Sequence, residues 1–139
     1  MWTFVKSKIH DYWLWFAICK RTRQIVSYHI GKRGIIDCLE FWRKVPKEYK
    51  ESKTYSDYWE CYSTVLSNYR HKSVGKESGL TNHVERFNNT IRQGLGRLTR
   101  KTLSFSKSDE MLEINIRLFI YIYNLEKGNQ YLVNSVSAV

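Results

Sequence analysis

The sequence predicts one α/β domain, and three observations predict it. Three apolar or β-branched runs stand close together at the start of the chain, which suits an antiparallel meander. Later segments carry apolar residues at steps of three and four, which suits helices packed on a sheet. Finally, 42% of the 139 residues are hydrophobic and 15% aromatic, enough to close a core at a length that allows one domain.

Taken in order, Trp2 to Val5, Tyr12 to Cys19 and Ile25 to Ile30 read as strands, joined by the short polar segments Lys6 to Asp11 and Lys20 to Gln24. Ile35, Ile36, Cys38, Leu39, Trp42 and Val45 recur at helical spacing between Gly34 and Pro46, giving a helix with a clear stop. Pro46 to Lys53 is charged and reads as a surface connection. Thr54 to Ser56 is a short strand that delivers Asp57 at its end. Trp59 to Leu66 then reads as a short helix, Tyr69 to Val74 as a strand, and Gly75 to Leu80 as a loop with Gly75, Ser78 and Gly79 as turn formers.

The clearest periodicity is the stripe Val84, Phe87, Ile91, Leu95 and Leu98, a helix of about four turns. Thr81 or Asn82 is placed to cap it, and Glu85 falls in the first turn, where a carboxylate meets the positive end of the helix dipole. Leu112, Ile116, Phe119, Ile120 and Tyr123 make a last amphipathic helix with Ser108 as its cap. Periodicity fades from Gly128, so the domain is expected over residues 1–128 with a tail over 129–139.

Composition excludes several classes. One Pro and seven Gly rule out fibrous and low-complexity chains, and the longest apolar stretch, Trp13 to Cys19, is far short of the roughly 20 residues of a membrane helix. Met1 to Lys8 lacks the pattern of a secretory signal, so a cytoplasmic location is expected. Three widely spaced cysteines, Cys19, Cys38 and Cys61, suit reduced thiols rather than a disulfide or zinc framework. With 23 Lys+Arg against 13 Asp+Glu, the net charge of +10 favours polyanionic partners, nucleic acid before an anionic membrane.

Half of that surplus lies between Asn82 and Lys107, where six basic residues (Arg86, Arg92, Arg97, Arg100, Lys101, Lys107) accompany one acid, Glu85. On a helix, Arg86, Asn89, Thr90, Gln93, Arg97 and Arg100 fall mostly opposite the apolar stripe, an outward basic and amide-rich face suited to phosphates and base edges. A plain solvated face explains the same pattern. Glu85 either compensates the helix dipole and pairs with Arg92 or Arg86, or joins Asp57 as a ligand for a hard divalent cation, which takes carboxylate oxygens. Gly75-Lys76 lacks the residues of a phosphate loop, and His10, His29, His71 and His83 lack zinc spacing. Tyr58 and Trp59, beside Asp57, are placed to stack on an unpaired base.

The run His83-Val84-Glu85-Arg86-Phe87-Asn88-Asn89-Thr90-Ile91-Arg92-Gln93, followed by Arg97-Leu98-Thr99-Arg100-Lys101-Thr102-Leu103-Ser104-Phe105-Ser106-Lys107-Ser108, closely resembles the signature of the insertion-sequence-one family of bacterial transposases. Trp13 to Ile18 and Ser56 to Tyr62 resemble two further blocks, in the family's order, and the matches span residues 2 to about 124. The resemblance implies a ribonuclease-H-like fold, with a mixed five-stranded sheet that begins as a three-strand meander and is flanked by helices. It implies D-D-E chemistry, in which acidic residues hold two Mg²⁺ (or Mn²⁺) ions for DNA strand cleavage and transfer. By position, Asp57 matches the second aspartate and Glu85 the catalytic glutamate, both metal ligands. DNA contacts fall to Arg86, Asn89, Arg92, Arg97, Arg100, Lys101 and Lys107. Implied partners are the element's ends and target DNA, with the protein acting as a homo-oligomer in the bacterial nucleoid and without a membrane.

One departure stands at the front. The family's first aspartate precedes the tryptophan that Trp2 matches, and its end-recognising DNA-binding region lies further upstream, so the chain is expected to be a catalytic-domain fragment of reduced or no activity. Asp11, placed at a turn, and Asp37, at a helix start, are poor substitutes, and Cys19 stands where the family often has aspartate. The competing expectation is a non-enzymatic basic DNA-binding module.

Overall fold

Trp2–Val5 (β1), Ser7–Ile18 (β2) and Ile25–Gly31 (β3) form an antiparallel sheet in the order β1-β2-β3. The computed structural model describes residues 1–5, 7–66, 70–98 and 106–137. Cross-strand partners such as Trp2 and Trp13, Phe4 and Asp11, and Leu14 and Ile30 fix the register. The strand period of two then sends Leu14 and Phe16 to one face and Trp13, Trp15 and Ala17 to the other. Ser7 to Asp11, expected as a connection, belongs to β2, because pairing with β1 and not side-chain hydrophobicity extends it. Asp11 therefore sits inside a strand, not at a turn.

Ile35–Lys44 (α1) ends where Pro46 cannot continue it, and Pro46 opens the single turn Lys47–Lys50 (α2). Thr54–Ser56 (β4) pairs in parallel with His71–Ser73 (β5), and Glu60–Val65 (α3) connects them. Tyr69, the expected start of that last strand, lies outside the described residues. A 3₁₀ turn over Lys76–Ser78 leads to Asn82–Gly94 (α4), and a second over Gly96–Leu98 follows it. Thr81 precedes α4 without a side-chain capping bond. The final helix, Asp109–Ser137 (α5), is capped as expected by Ser108, whose Oγ accepts the Met111 N–H at 3.2 Å.

Two expectations are corrected. The strands do not form one five-stranded sheet: among the described residues β4 is hydrogen-bonded only to β5, and Val5 of β1 makes an isolated parallel bridge with Ser106. A cleft, lined by Phe16 to Ile18 on one side and Thr54 to Ser56 on the other, lies between the two sheets. Likewise, residues 129–137 are helical rather than a loose tail, because α5 continues through Gly128. Side-chain anchors hold it there. Asn124 Oδ1 accepts the Ile25 N–H at 2.7 Å, its Nδ2 donates to the Ile25 carbonyl at 2.9 Å, and the Arg21 guanidinium lies 5.5 Å from the Tyr131 ring centre.

Two cores flank the meander. On the Leu14 and Phe16 face, Phe87 and Ile91 of α4 and Leu112 and Ile116 of α5 are fully buried, with Phe87 edge-on to Phe16 at 4.9 Å and to Tyr123 at 4.8 Å. On the other face Trp15 packs with Cys38 and Phe41 of α1 and with Leu66, against Trp59 and Tyr62. The cysteines are free, and burial, with Cys61 as a smaller influence, pushes the Cys38 thiol up to about 12. That value suits a packing residue. Among the described residues no helix is long and apolar enough to cross a membrane.

Candidate active site

Asp57 leaves the end of β4 into a turn that its own carboxylate stabilises, since Oδ1 accepts the Trp59 N–H at 3.2 Å. Ser56 reinforces the turn. Its hydroxyl donates to the Asp57 carbonyl at 2.9 Å and lies 2.9 Å from His71 Nε2, whose proton it is then placed to accept. Burial lowers the His71 pKa, so that ring stays neutral at physiological pH.

Glu85 comes from the opposite wall. It lies in the first turn of α4, is exposed, and makes no side-chain hydrogen bond or ion pair among the described residues, so the expected pairing with Arg92 or Arg86 is not formed. Both carboxylates line the cleft between the sheets, which has a volume of about 810 Å³. Asn88, one turn beyond Glu85, lines it too, and its side-chain oxygen is buried with no hydrogen-bond partner among the described residues. Arg92, seven residues from Glu85 and hence on the same side of the helix, is half-buried.

Electrostatics ties the start of β1 to this site. The Met1 amine donates to the Leu14 carbonyl at 2.6 Å, and its pKa falls to about 5, first through burial, then through Arg92 and Arg33, while Asp57 opposes the shift. Those three side chains therefore act on one point. Tyr62 reports the same neighbourhood, because burial and then the Asp57 charge hold its phenol well above the usual range.

Arg33 is the residue that sequence reasoning missed. It stands in the β3–α1 connection with its guanidinium 4.5 Å from the Trp13 ring centre and 4.8 Å from that of Trp59. Cation–π attraction to two indoles holds the guanidinium in place, and Arg33 itself stays exposed. The same contact corrects the expectation for Trp59, which packs on Trp15 at 4.9 Å and Tyr62 at 5.5 Å and is not free to stack on a base. Tyr58 remains exposed. No local signal marks Arg33 in the sequence, because the triad joins a strand, a loop and a helix start.

The expected basic face is divided. Arg86, exposed, lines a separate small pocket with Arg23, His83, Thr90, Glu126 and Lys127, whereas Arg92 is half-buried and its charge acts on the Met1 amine. Burial, then Arg23, Arg86 and Lys20, lower the His83 pKa, while Glu126 also lines that pocket. Asn89 and Lys107 are exposed. Arg100 and Lys101 lie outside the described residues, as does the side chain of Arg97.

For a divalent cation the two carboxylates are a partial donor set. Hard cations accept carboxylate oxygens, and Mg²⁺ commonly takes one or two, with water and substrate phosphate completing its shell. Asp57 and Glu85 fit that pattern. Among the described residues no group of three or more His, Cys, Asp and Glu is gathered for a metal. Asp11 is paired with Lys32 at 2.9 Å and Asp37 with His29 at 2.9 Å, so each is engaged elsewhere.

A mixed α/β protein with a strand-end carboxylate and a helix carboxylate on one cleft is the class that the fold and site define. The family model for IS1 transposase matches residues 1–126, and the chain belongs to that family of DNA-cleaving enzymes. It is 34% identical over 119 residues to the insertion element iso-IS1n protein InsB of Shigella dysenteriae, covering 86% of this chain and 88% of that one. Identity is 33% over 110 residues with the insertion element IS1 protein InsB of Shigella flexneri, covering 79% and 81%. For the IS1 4 protein InsB of Escherichia coli K12 it is 31% over 110 residues, 79% of this chain and 64% of that one. No solved structure matches the chain significantly.

Proposed function

We propose that this chain carries D-D-E-type transposase chemistry, metal-dependent DNA strand cleavage and strand transfer, in a ribonuclease-H-like arrangement over residues 1–128, with Asp57 and Glu85 as two of its carboxylates. The observation that carries the reading is their presence on one cleft. A bound divalent ion of the Mg²⁺ or Mn²⁺ class would polarise a phosphate and lower the pKa of bound water. Asp57 and Glu85 would hold it, and a two-ion site needs at least one further carboxylate. The remaining work falls to side chains in place. Arg33, held by Trp13 and Trp59, offers a fork of donors to a phosphate, and Arg92, half-buried on α4, adds positive charge. Asn89, Arg86 and Lys107, together with Arg97, Arg100 and Lys101, fix the DNA backbone without reading its sequence.

With Asp11 and Asp37 engaged elsewhere, the 139 residues by themselves are expected to transfer strands poorly. The test is calorimetric titration of the purified chain with Mn²⁺ and Mg²⁺, beside Asp57→Ala and Glu85→Ala. Binding that either variant abolishes supports the reading, and binding indifferent to both overturns it. A second reading rests on the net charge of +10 and the run of arginines and lysines between Asn82 and Lys107: a non-enzymatic basic DNA-binding module. It is distinguished by DNA affinity that persists with a chelator present and with both carboxylates replaced.

A further inference from the structure

Arg23, in the turn between β2 and β3, has a positive φ of 65°, the one such residue other than glycine among the described residues. A side chain strains the backbone there, and glycine or asparagine is the usual choice. The turn fixes that conformation from both sides. The Arg23 N–H donates to the Cys19 carbonyl at 2.8 Å, and the Gln24 side chain donates to the Asn124 carbonyl of α5 at 3.0 Å. What the strain secures is the place of a guanidinium whose Nη1 is buried with no hydrogen-bond partner among the described residues. An orphaned charged donor on a strained residue points to a ligand rather than to packing.

Arg23 lines the small pocket between this turn, α4 and α5, a cavity of about 220 Å³. Arg86 and Lys127 line it too, against one acid, Glu126, so three positive charges meet one negative. Among the described residues no ion pair joins Glu126 to any of the three. Arg23 and Arg86 act together on two further lining residues: after burial both lower the His83 pKa, and both oppose the burial that raises that of Tyr123. Their charges therefore converge, and the neutral His83 ring adds a donor beside them. We propose that this pocket is an oxyanion site that takes one phosphate group, held by Arg23, Arg86 and Lys127 with His83 as a further donor. Donors fixed on three separate elements suit a tetrahedral anion, and the surplus of positive charge repels a metal ion. The phosphate belongs either to the free anion or to a nucleic-acid backbone, which share this chemistry. Ile18 and His83 border both the pocket and the carboxylate cleft, so the two sites are neighbours.

This inference stands without the catalytic reading, because its test replaces neither carboxylate and excludes divalent metal. The full chain is titrated calorimetrically with inorganic phosphate at fixed ionic strength in the presence of EDTA. One saturable site is expected. Arg23→Gly removes the guanidinium and relieves the strained φ, so phosphate binding should weaken by at least about tenfold while the thermal midpoint stays level or rises. Where that variant is instead less stable, Arg86→Gln decides, since Arg86 is exposed and its loss should weaken binding by about fivefold or more. Arg43→Gln lowers the net charge equally on an exposed residue of α1, paired there with Glu40, and should leave the affinity within about twofold. A parent chain without a saturable site overturns the proposal. So does an Arg86→Gln chain, or a stably folded Arg23→Gly chain, that binds phosphate like the parent, or an Arg43→Gln chain that loses as much affinity as either. Binding of a short DNA duplex, repeated at saturating phosphate and the same ionic strength, then tells the two sources apart. Duplex binding that phosphate weakens in the parent but not in Arg23→Gly assigns the site to a backbone phosphodiester, and duplex binding indifferent to phosphate assigns it to the free anion. Either result upholds the site.

Discussion

The two faces of the meander differ in what they bury and in what they leave accessible. Against Leu14 and Phe16, helices α4 and α5 supply aliphatic and phenylalanine side chains that pack to near-complete burial. Against Trp13 and Trp15, α1 and α3 supply indoles, a phenol and thiols, and the packing stays open enough for Arg33 to stack at its rim beside Asp57. One strand thus serves both purposes through alternation alone. The difference teaches that the first face holds the fold while the second, on the proposed reading, borders the site, so damage to each should be separable.

Phe87→Ala tests that division most strongly. Removing a ring that is 1% exposed should cost about 3–5 kcal/mol in urea denaturation, enough to threaten a domain of this size. A loss below about 1 kcal/mol would mean the first face is not the stabilising one. Trp59→Ala, on the second face, should cost less stability, about 1–3 kcal/mol, because the indole is only half-buried. It should also loosen DNA binding by freeing Arg33. Arg33→Ala sharpens the contrast further: unfolding should shift by under about 1 kcal/mol, while DNA affinity falls across unrelated sequences and the slope of log affinity against log salt drops by about 1. An unchanged salt slope would remove Arg33 from the interface. The smallest effect belongs to Asp11→Asn. That carboxylate is exposed and paired with Lys32, and its replacement should leave both the denaturation midpoint and metal binding unmoved. Metal binding lost in this variant would make Asp11 a third ligand.

Much of the element order was legible because amphipathic periods are local. The stripe of α4, the stop at Pro46 and the cap at Ser108 all follow from residues within a few positions of each other. Asp57 and Glu85 were legible as candidates for the same reason, since each sits at an element end that the sequence marks. What escaped was set by contacts across long separations. The clamp of Asn124 on Ile25, 99 residues apart, carries α5 past a glycine that reads as its end. The sandwich of Arg33 draws on Trp13 and Trp59 from separate elements, and no periodicity encodes it. The division of the sheet depends on which edge β4 meets, and three-residue strands carry too little pattern to declare that.

The cleft between the sheets has a mechanical consequence. Asp57 rides on a two-stranded ribbon, and Glu85 on a helix anchored in the main core, with no ladder bond among the described residues joining ribbon to meander. The ribbon is instead tied to the meander by side-chain packing of Trp59, Tyr62 and Leu66 around Trp15. A ligand that grips both carboxylates would therefore bridge two separately built units, and slowed amide exchange in Thr54 to Ser56 on its binding is the expected sign.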